Sequence, residues 1–89
     1  PLVNASRPPG EWQSYDIVFT APRFAADGML SAPAVVTVLH NGVLIQDHVP
    51  VNGEPTTAAP LKGVVSKGPL YLQDHGNPVR FRNVWIRPL

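Results

Sequence analysis

At 89 residues the chain is long enough for one domain at most, and a domain of this size buries little more than about 60% of the surface its unfolded chain exposes. It has no cysteine, which excludes a disulfide framework and cysteine-ligated zinc or iron sites. A net charge of +1 argues against nucleic acid or an anionic membrane as the main partner, and no apolar run approaches the ~20 residues that span a bilayer.

The first part of the chain predicts an arm, a strand and a connection. Residues 1–10 are proline-rich and without periodicity, so we interpret them as an extended arm. Residues 11–19 alternate and predict a strand. Its two faces are Tyr15, Ile17 and Phe19, which should face the core, and Trp12, Ser14 and Asp16, which form the polar side. Residues 20–33 predict a long connection, with any helical turn confined to residues 23–27.

The strongest local signal is Asn41-Gly42, which separates two apolar alternating runs and predicts a two-residue type I′ hairpin. Counting outward from the turn gives three predicted pairs: His40 with Val43, Val38 with Ile45, and Val36 with Asp47. This register places His40 and Asp47 on one face and His48 on the other. Because these side chains do not converge, we expect no metal site from them.

The remainder of the chain predicts a loop and two further strands. Residues 50–67 combine prolines and glycines with small polar residues and are typical of a loop. Strands are predicted for residues 69–75 and 78–89, and the apolar alternation of the last one slips near Asn83, as at a β-bulge. Five strands alone leave one sheet face and two edges open, so a partner surface is expected.

Three groups of side chains on these strands are candidates for binding chemistry. Tyr71, Gln73 and His75 project from one face at i, i+2 and i+4, where a ring can stack on a sugar and polar groups can bond its hydroxyls. The second group combines Arg80 and Arg82 with Asn83, and the third combines Trp12 with Asp16. The alternative for each group is structural: a solvated sheet face, a turn cap, or a half-buried tryptophan.

Three stretches of sequence carry a family resemblance: GEWQSYDIVF, VTVLHNGVLIQDH and GPLYLQDHGNPVRFRNVWIRPL, at residues 10–19, 36–48 and 68–89. With these blocks the chain resembles the C-terminal half of the 3-keto-disaccharide hydrolase domain family. The resemblance implies an all-β, antiparallel jelly-roll sandwich of the concanavalin A-like or laminin-G-like type. On this basis residues 1–89 are one incomplete domain, whose open sheet is covered by a complementary N-terminal half or by a second copy.

The same resemblance implies a carbohydrate partner, a 3-keto-glycoside or disaccharide, and a bacterial protein that is periplasmic or secreted. A 3-keto group acidifies the C2 hydrogen, so a base can remove that proton and the C1 oxygen substituent can leave, with water adding later. His75 would be the base or acid, and Trp12 or Tyr71 would stack on the ring. The remaining substrate contacts would come from Asp16, Gln73, Arg80 and Asn83. We expect no cofactor.

Two other functions remain open at this point. One is a carbohydrate-binding or laminin-G-like recognition module without catalysis, since sandwiches of this kind often only bind. The other is a subunit that self-associates by pairing strand edges and burying the open sheet face. If the chain is part of an enzyme, we expect it to be inactive alone.

Overall fold

The computed structural model describes residues 1–52 and 63–89. Within these ranges the chain is all-β, without a helix, and all strand pairs are antiparallel, as the sequence predicts. The strands are β1 (Tyr15–Thr20), β2 (Arg23–Phe24), β3 (Leu30–Ala32), β4 (Ala34–His40) and β5 (Val43–Val51). They form a three-stranded sheet in the order β1-β4-β5 and a two-stranded sheet of β2 and β3, which is a partial β-sandwich. The described residues include no helix long and apolar enough to cross a membrane.

The β4–β5 hairpin turns at the predicted position. Asn41 and Gly42 have φ values of 53° and 80°, and two positive φ angles are what a type I′ turn requires. Glycine adopts this backbone without a steric penalty, and asparagine tolerates it better than most residues. His40 pairs with Val43 beside the turn, which confirms the first predicted pair.

Farther from the turn the predicted register is wrong because β5 contains two bulges. Val38 pairs with Gln46, leaving Ile45 as an extra residue. Val36 pairs with Val49, so that the two residues Asp47 and His48 stand opposite the single residue Thr37. Each extra residue shifts the register by one, and a count from the turn cannot detect either shift.

The central sheet has one strongly apolar face. Strand β1 pairs with β4 from Tyr15 opposite His40 to Thr20 opposite Val35, so β1 begins later than predicted, and Trp12 and Ser14 precede it. The register places these side chains on one face: Tyr15, Ile17, Phe19, Val36, Val38, Val43 and Val49. Yet Ile17 and Phe19 remain 60% and 59% exposed, so the described residues do not bury this face as a core.

Residues 20–33 fold differently from the predicted connection, because β2 and β3 form a second small hairpin. The backbone N–H of Ala25 donates to the carbonyl of Met29 (2.8 Å), and the Asp27 carboxylate accepts from the N–H of Met29 (2.9 Å). Gly28 supplies a φ of 83° inside this turn. No helical turn forms over residues 23–27, which instead make the short strand β2 and the start of a tight turn.

The two predicted C-terminal strands do not form in the described chain. Residues 63–89 contain no strand, and the turn near His75 does not pair residues 69–75 with residues 78–89. A strand needs a hydrogen-bonded neighbour, and alternation alone supplies none. Strand β5 extends to Val51, into the predicted loop of residues 50–67; residues 53–62 of that loop lie outside the described residues.

The buried interior is small. Among the described residues only Pro22, Ala34 and His40 are buried, and none has a large apolar side chain. The chain exposes 7744 Å², against about 5,100 Å² for a compact protein of 9.6 kDa. The total exposed area is therefore larger than that of a self-contained compact domain, and large apolar side chains such as Ile17 and Phe19 contribute to it.

Candidate functional site

The clearest contact between predicted site segments joins Trp12 to Arg82. The guanidinium carbon of Arg82 lies 3.8 Å from the centre of the Trp12 ring, a cation–π arrangement. Arg7 also contacts this segment, because its Nη1 donates to the Trp12 carbonyl oxygen (3.1 Å). The N-terminal segment before β1 and the C-terminal segment thus meet at one aromatic ring. Arg82 therefore covers part of the Trp12 ring surface.

His75 lies in a tight turn that presents it to solvent. The Asp74 carboxylate accepts a hydrogen bond from the N–H of Gly76 (3.1 Å), and Gly76 has a φ of 84°. Tyr71 and Gln73 precede this turn on an exposed stretch, with Tyr71 59% exposed. No hydrogen bond or ring stacking links these three side chains to one another within the part of the chain described.

The other predicted binding residues lie on β1 and on the C-terminal segment. Asp16 is on β1 opposite Leu39, and Arg80 is exposed on the C-terminal segment. Asn83 has a φ of 54°, a left-handed backbone that fits the predicted slip of the alternation there, although no strand forms around it. Asp16 therefore lies on the central sheet, whereas Arg80, Asn83 and His75 all lie on the C-terminal segment.

A shallow depression of about 190 Å³ lies between β1 and residues 65–69. Its lining residues are Phe19, Val65, Ser66, Lys67, Gly68 and Pro69. It contains none of the predicted site residues, and it is smaller than the roughly 300 Å³ at which ligand pockets begin. These six lining residues alone therefore do not enclose a site of ordinary ligand size.

A polar network that the sequence analysis missed surrounds His40, which is only 5% exposed. The Gln13 side-chain oxygen lies 2.7 Å from His40 Nε2 and also accepts from the N–H of Arg7 (3.1 Å). Because an amide oxygen only accepts, His40 Nε2 carries the hydrogen. The Tyr15 ring stacks on the imidazole with centroids 4.3 Å apart and planes 7° from parallel. His40 is therefore a structural residue that fastens the segment before β1 to β4.

Asn41 extends this network to the arm. Its side-chain oxygen accepts from the N–H of Ser14 (2.9 Å), and its Nδ2 donates to the carbonyl of Ala5 (2.8 Å). A further backbone bond joins the arm to the edge of the sheet, from the N–H of Leu2 to the carbonyl of Ile45 (2.8 Å). The hairpin turn thus holds the arm and the start of β1 in place.

A second missed feature is the contact between Asp47 and His48 at the β5 bulge. Asp47 Oδ1 lies 2.6 Å from His48 Nδ1, and both side chains are largely exposed. The N–H of His48 donates to Thr37 Oγ1 (3.0 Å), and His48 has a φ of 48°. Within the described ranges no group of three or more histidine or acidic side chains is placed to hold a metal ion. An acidic residue next to a histidine was visible in the sequence. The predicted register, which had no bulge, placed Asp47 and His48 on opposite faces and so gave no reason to expect this contact.

Two comparisons with known proteins, one with family models and one with solved structures, agree on the family that this chain resembles. The family model of the 3-keto-alpha-glucoside-1,2-lyase-like domain matches residues 1–87. Among solved structures, the chain is similar to a candidate glycosyl hydrolase from Parabacteroides distasonis, with 44% identity and a TM-score of 0.59 over 76% of this chain and 28% of that one. No curated protein matches. The resemblance drawn from the three sequence blocks is confirmed: the chain belongs to the 3-keto-alpha-glucoside-1,2-lyase-like domain family.

Proposed function

We infer that this chain is part of a domain that cleaves the glycosidic bond of sugars oxidised at C3. The family match over residues 1–87 carries the proposal, and the 44% identity to a candidate glycosyl hydrolase supports it. The chain spans 28% of the length of that structure. The small interior and the shallow depression agree with a site that needs further surface.

The proposed reaction is an elimination followed by hydration. A base removes the proton from C2, which the neighbouring C3 carbonyl acidifies, and the electron pair of that bond forms the C1–C2 double bond. The C1–O bond breaks, and the departing oxygen keeps its electron pair and takes a proton. Water then adds across the double bond, its oxygen to C1 and its proton to C2. The site must supply a base, an acid and hydrogen-bond donors to the enolate oxygen.

The exposed side chains of the C-terminal segment suit these roles. His75 is the base or acid, since an imidazole ring nitrogen can accept or donate a proton and the Asp74–Gly76 turn presents the ring to solvent. Tyr71 is a freer stacking platform than Trp12, because Arg82 already covers part of the Trp12 ring. Gln73, Arg80 and Asn83 donate hydrogen bonds to sugar oxygens, and Asp16 accepts them from hydroxyls.

The open apolar face requires a second layer. The covering partner is a complementary half of the sandwich or a second copy of this chain, because exposed side chains such as Ile17 and Phe19 need burial. A periplasmic or secreted location follows the family resemblance and is part of the proposal.

The test uses the full-length protein and two matched substrates. It is incubated with a disaccharide and with the same disaccharide oxidised at C3, and the released sugar is measured. The proposal expects turnover of the oxidised substrate alone, and a loss of about 10² to 10⁴-fold in kcat for His75→Ala. The matched control is Asp27→Asn, in the β2–β3 turn, which should keep full activity. Binding of either sugar without conversion would favour a recognition module instead.

A further inference from the structure

The bulge on β5 places two neighbouring residues in an arrangement that a regular strand does not permit. Side chains at i and i+1 of a strand point to opposite faces of the sheet. Asp47 and His48 nevertheless lie within hydrogen-bond distance, 2.6 Å between Oδ1 and Nδ1. His48 has a left-handed backbone with a φ of 48°, which departs from the extended backbone of a regular strand. Such backbone is uncommon for a residue other than glycine, and strained backbone clusters at active sites and ligand sites.

The surrounding sheet holds the bulge in this form. Thr37 on β4 stands opposite both residues, and its Oγ1 accepts from the N–H of His48 (3.0 Å). The backbone N–H of the bulged residue His48 therefore has a side-chain partner, the Thr37 hydroxyl, on the central strand. Bulges of this kind often re-aim a side chain beside an active site.

The contact also fixes which nitrogen of the imidazole carries a hydrogen. A carboxylate only accepts hydrogen bonds, so His48 Nδ1 is the donor to Asp47. In a neutral imidazole this leaves the lone pair on Nε2. The His48 side chain is 83% exposed, so the ring can reach a ligand. An oriented imidazole whose Nε2 has no hydrogen-bond partner among the described residues has the arrangement of a general base.

Asp47 and His48 share a sheet face with Asp16, one of the predicted site residues. Asp47 follows Gln46, which pairs with Val38 on the apolar face, and His48 precedes Val49, which pairs with Val36 on that face. Counted from the regular pair on each side of the bulge, both residues lie on the other face. Asp16 lies on that same face, because its partner Leu39 alternates with Val38. From Asp16 on β1 to the bulge on β5 there are two inter-strand spacings, and Leu39 and Thr37 on β4 are two residues apart along the strand. These spacings place Asp16 and the bulge on the order of 12 Å apart. A disaccharide can bridge this span.

We propose that Asp47 and His48 form a proton-transfer dyad in which His48 Nε2 removes the C2 proton of a 3-keto-glycoside. The inference rests on the proposed function and assigns His75 the role of acid. The proton moves from C2 to Nε2, the electron pair of the C–H bond forms the C1–C2 double bond, and the C1–O electron pair leaves with the departing oxygen. Asp47 is a positioning residue that holds the tautomer and stabilises the imidazolium that forms.

The test compares variants of the full-length protein on the oxidised disaccharide. His48→Asn removes the base but tolerates left-handed backbone, and His48→Gly leaves space that added imidazole can fill. Both should lower kcat by about 10² to 10⁴-fold, and imidazole in the buffer should restore part of the activity of His48→Gly. Asp47→Asn should lower kcat by at least about tenfold with KM unchanged, whereas Asp27→Asn keeps full activity.

A second readout does not depend on turnover. In ¹⁵N NMR spectra His48 should show hydrogen on Nδ1 in the wild type and lose that preference in Asp47→Asn. Near wild-type kcat in both His48 variants, or no response to imidazole, would overturn the dyad while the proposed function stands. A wild-type protein that leaves the oxidised disaccharide intact would refute the proposed function, and the dyad's role with it.

Discussion

Replacing Asn41 by alanine should destabilise the protein by about 3 kcal/mol. The change removes the hydrogen bonds to the N–H of Ser14 (2.9 Å) and to the carbonyl of Ala5 (2.8 Å). Each such bond contributes about 1 kcal/mol net. It also puts alanine at a φ of 53°, where a side chain that cannot bond its own backbone costs roughly 1 to 2 kcal/mol. The two hydrogen bonds and the lower end of the backbone cost together give about 3 kcal/mol.

A matched glycine variant separates the loss of the hydrogen bonds from the cost of the left-handed backbone. Asn41→Gly loses the same hydrogen bonds but accepts the left-handed backbone, so it should be less destabilised than Asn41→Ala by about 1 kcal/mol. Asn52→Ala is the control, because Asn52 is an exposed asparagine just after β5. Urea denaturation of the full-length protein measures the free energy of unfolding of each variant. If Asn41→Ala falls within about 0.5 kcal/mol of the wild type, the turn does not hold the arm as described.

Three further changes test other parts of the fold by the same denaturation assay. Gly28→Ala should cost about 1 kcal/mol, since its φ is 83°, whereas Gly68→Ala should be neutral, because its added Cβ meets only ordinary contact at 4.0 Å. A double-mutant cycle of Arg82→Gln with Trp12→Leu should give a coupling of about 0.5 to 1 kcal/mol, and no coupling would mean the stacking is not stabilising. His40→Leu should cost about 1 to 2 kcal/mol through the lost hydrogen bond and ring stacking; an unchanged stability would show that the buried imidazole is dispensable.

The sequence predicts those features of the fold that depend on local chemistry. Asn41-Gly42 specifies its turn because both residues adopt positive φ. The alternation around Tyr15 and Phe19 correctly separates the two faces of β1. The three sequence blocks identify the family, which the match over residues 1–87 confirms.

Features that depend on distant partners could not be predicted in this way. The bulges on β5 depend on how His48 and Thr37 meet across the sheet, and nothing in the alternation marks them. The network around His40 joins residues far apart in the chain, such as Gln13 and His40. The predicted strands at residues 69–75 and 78–89 lack a paired neighbour within the described chain, so their apolar alternation does not become a ladder.

Proton abstraction at C2 is tested most directly with deuterium at that carbon. The full-length protein is given a 3-keto-glycoside carrying hydrogen or deuterium at C2, and the initial rates of cleavage are compared. If elimination through C2 is the reaction, the deuterated substrate is cleaved more slowly and its deuterium appears in the solvent. Equal rates with full retention of deuterium in the product would contradict the mechanism.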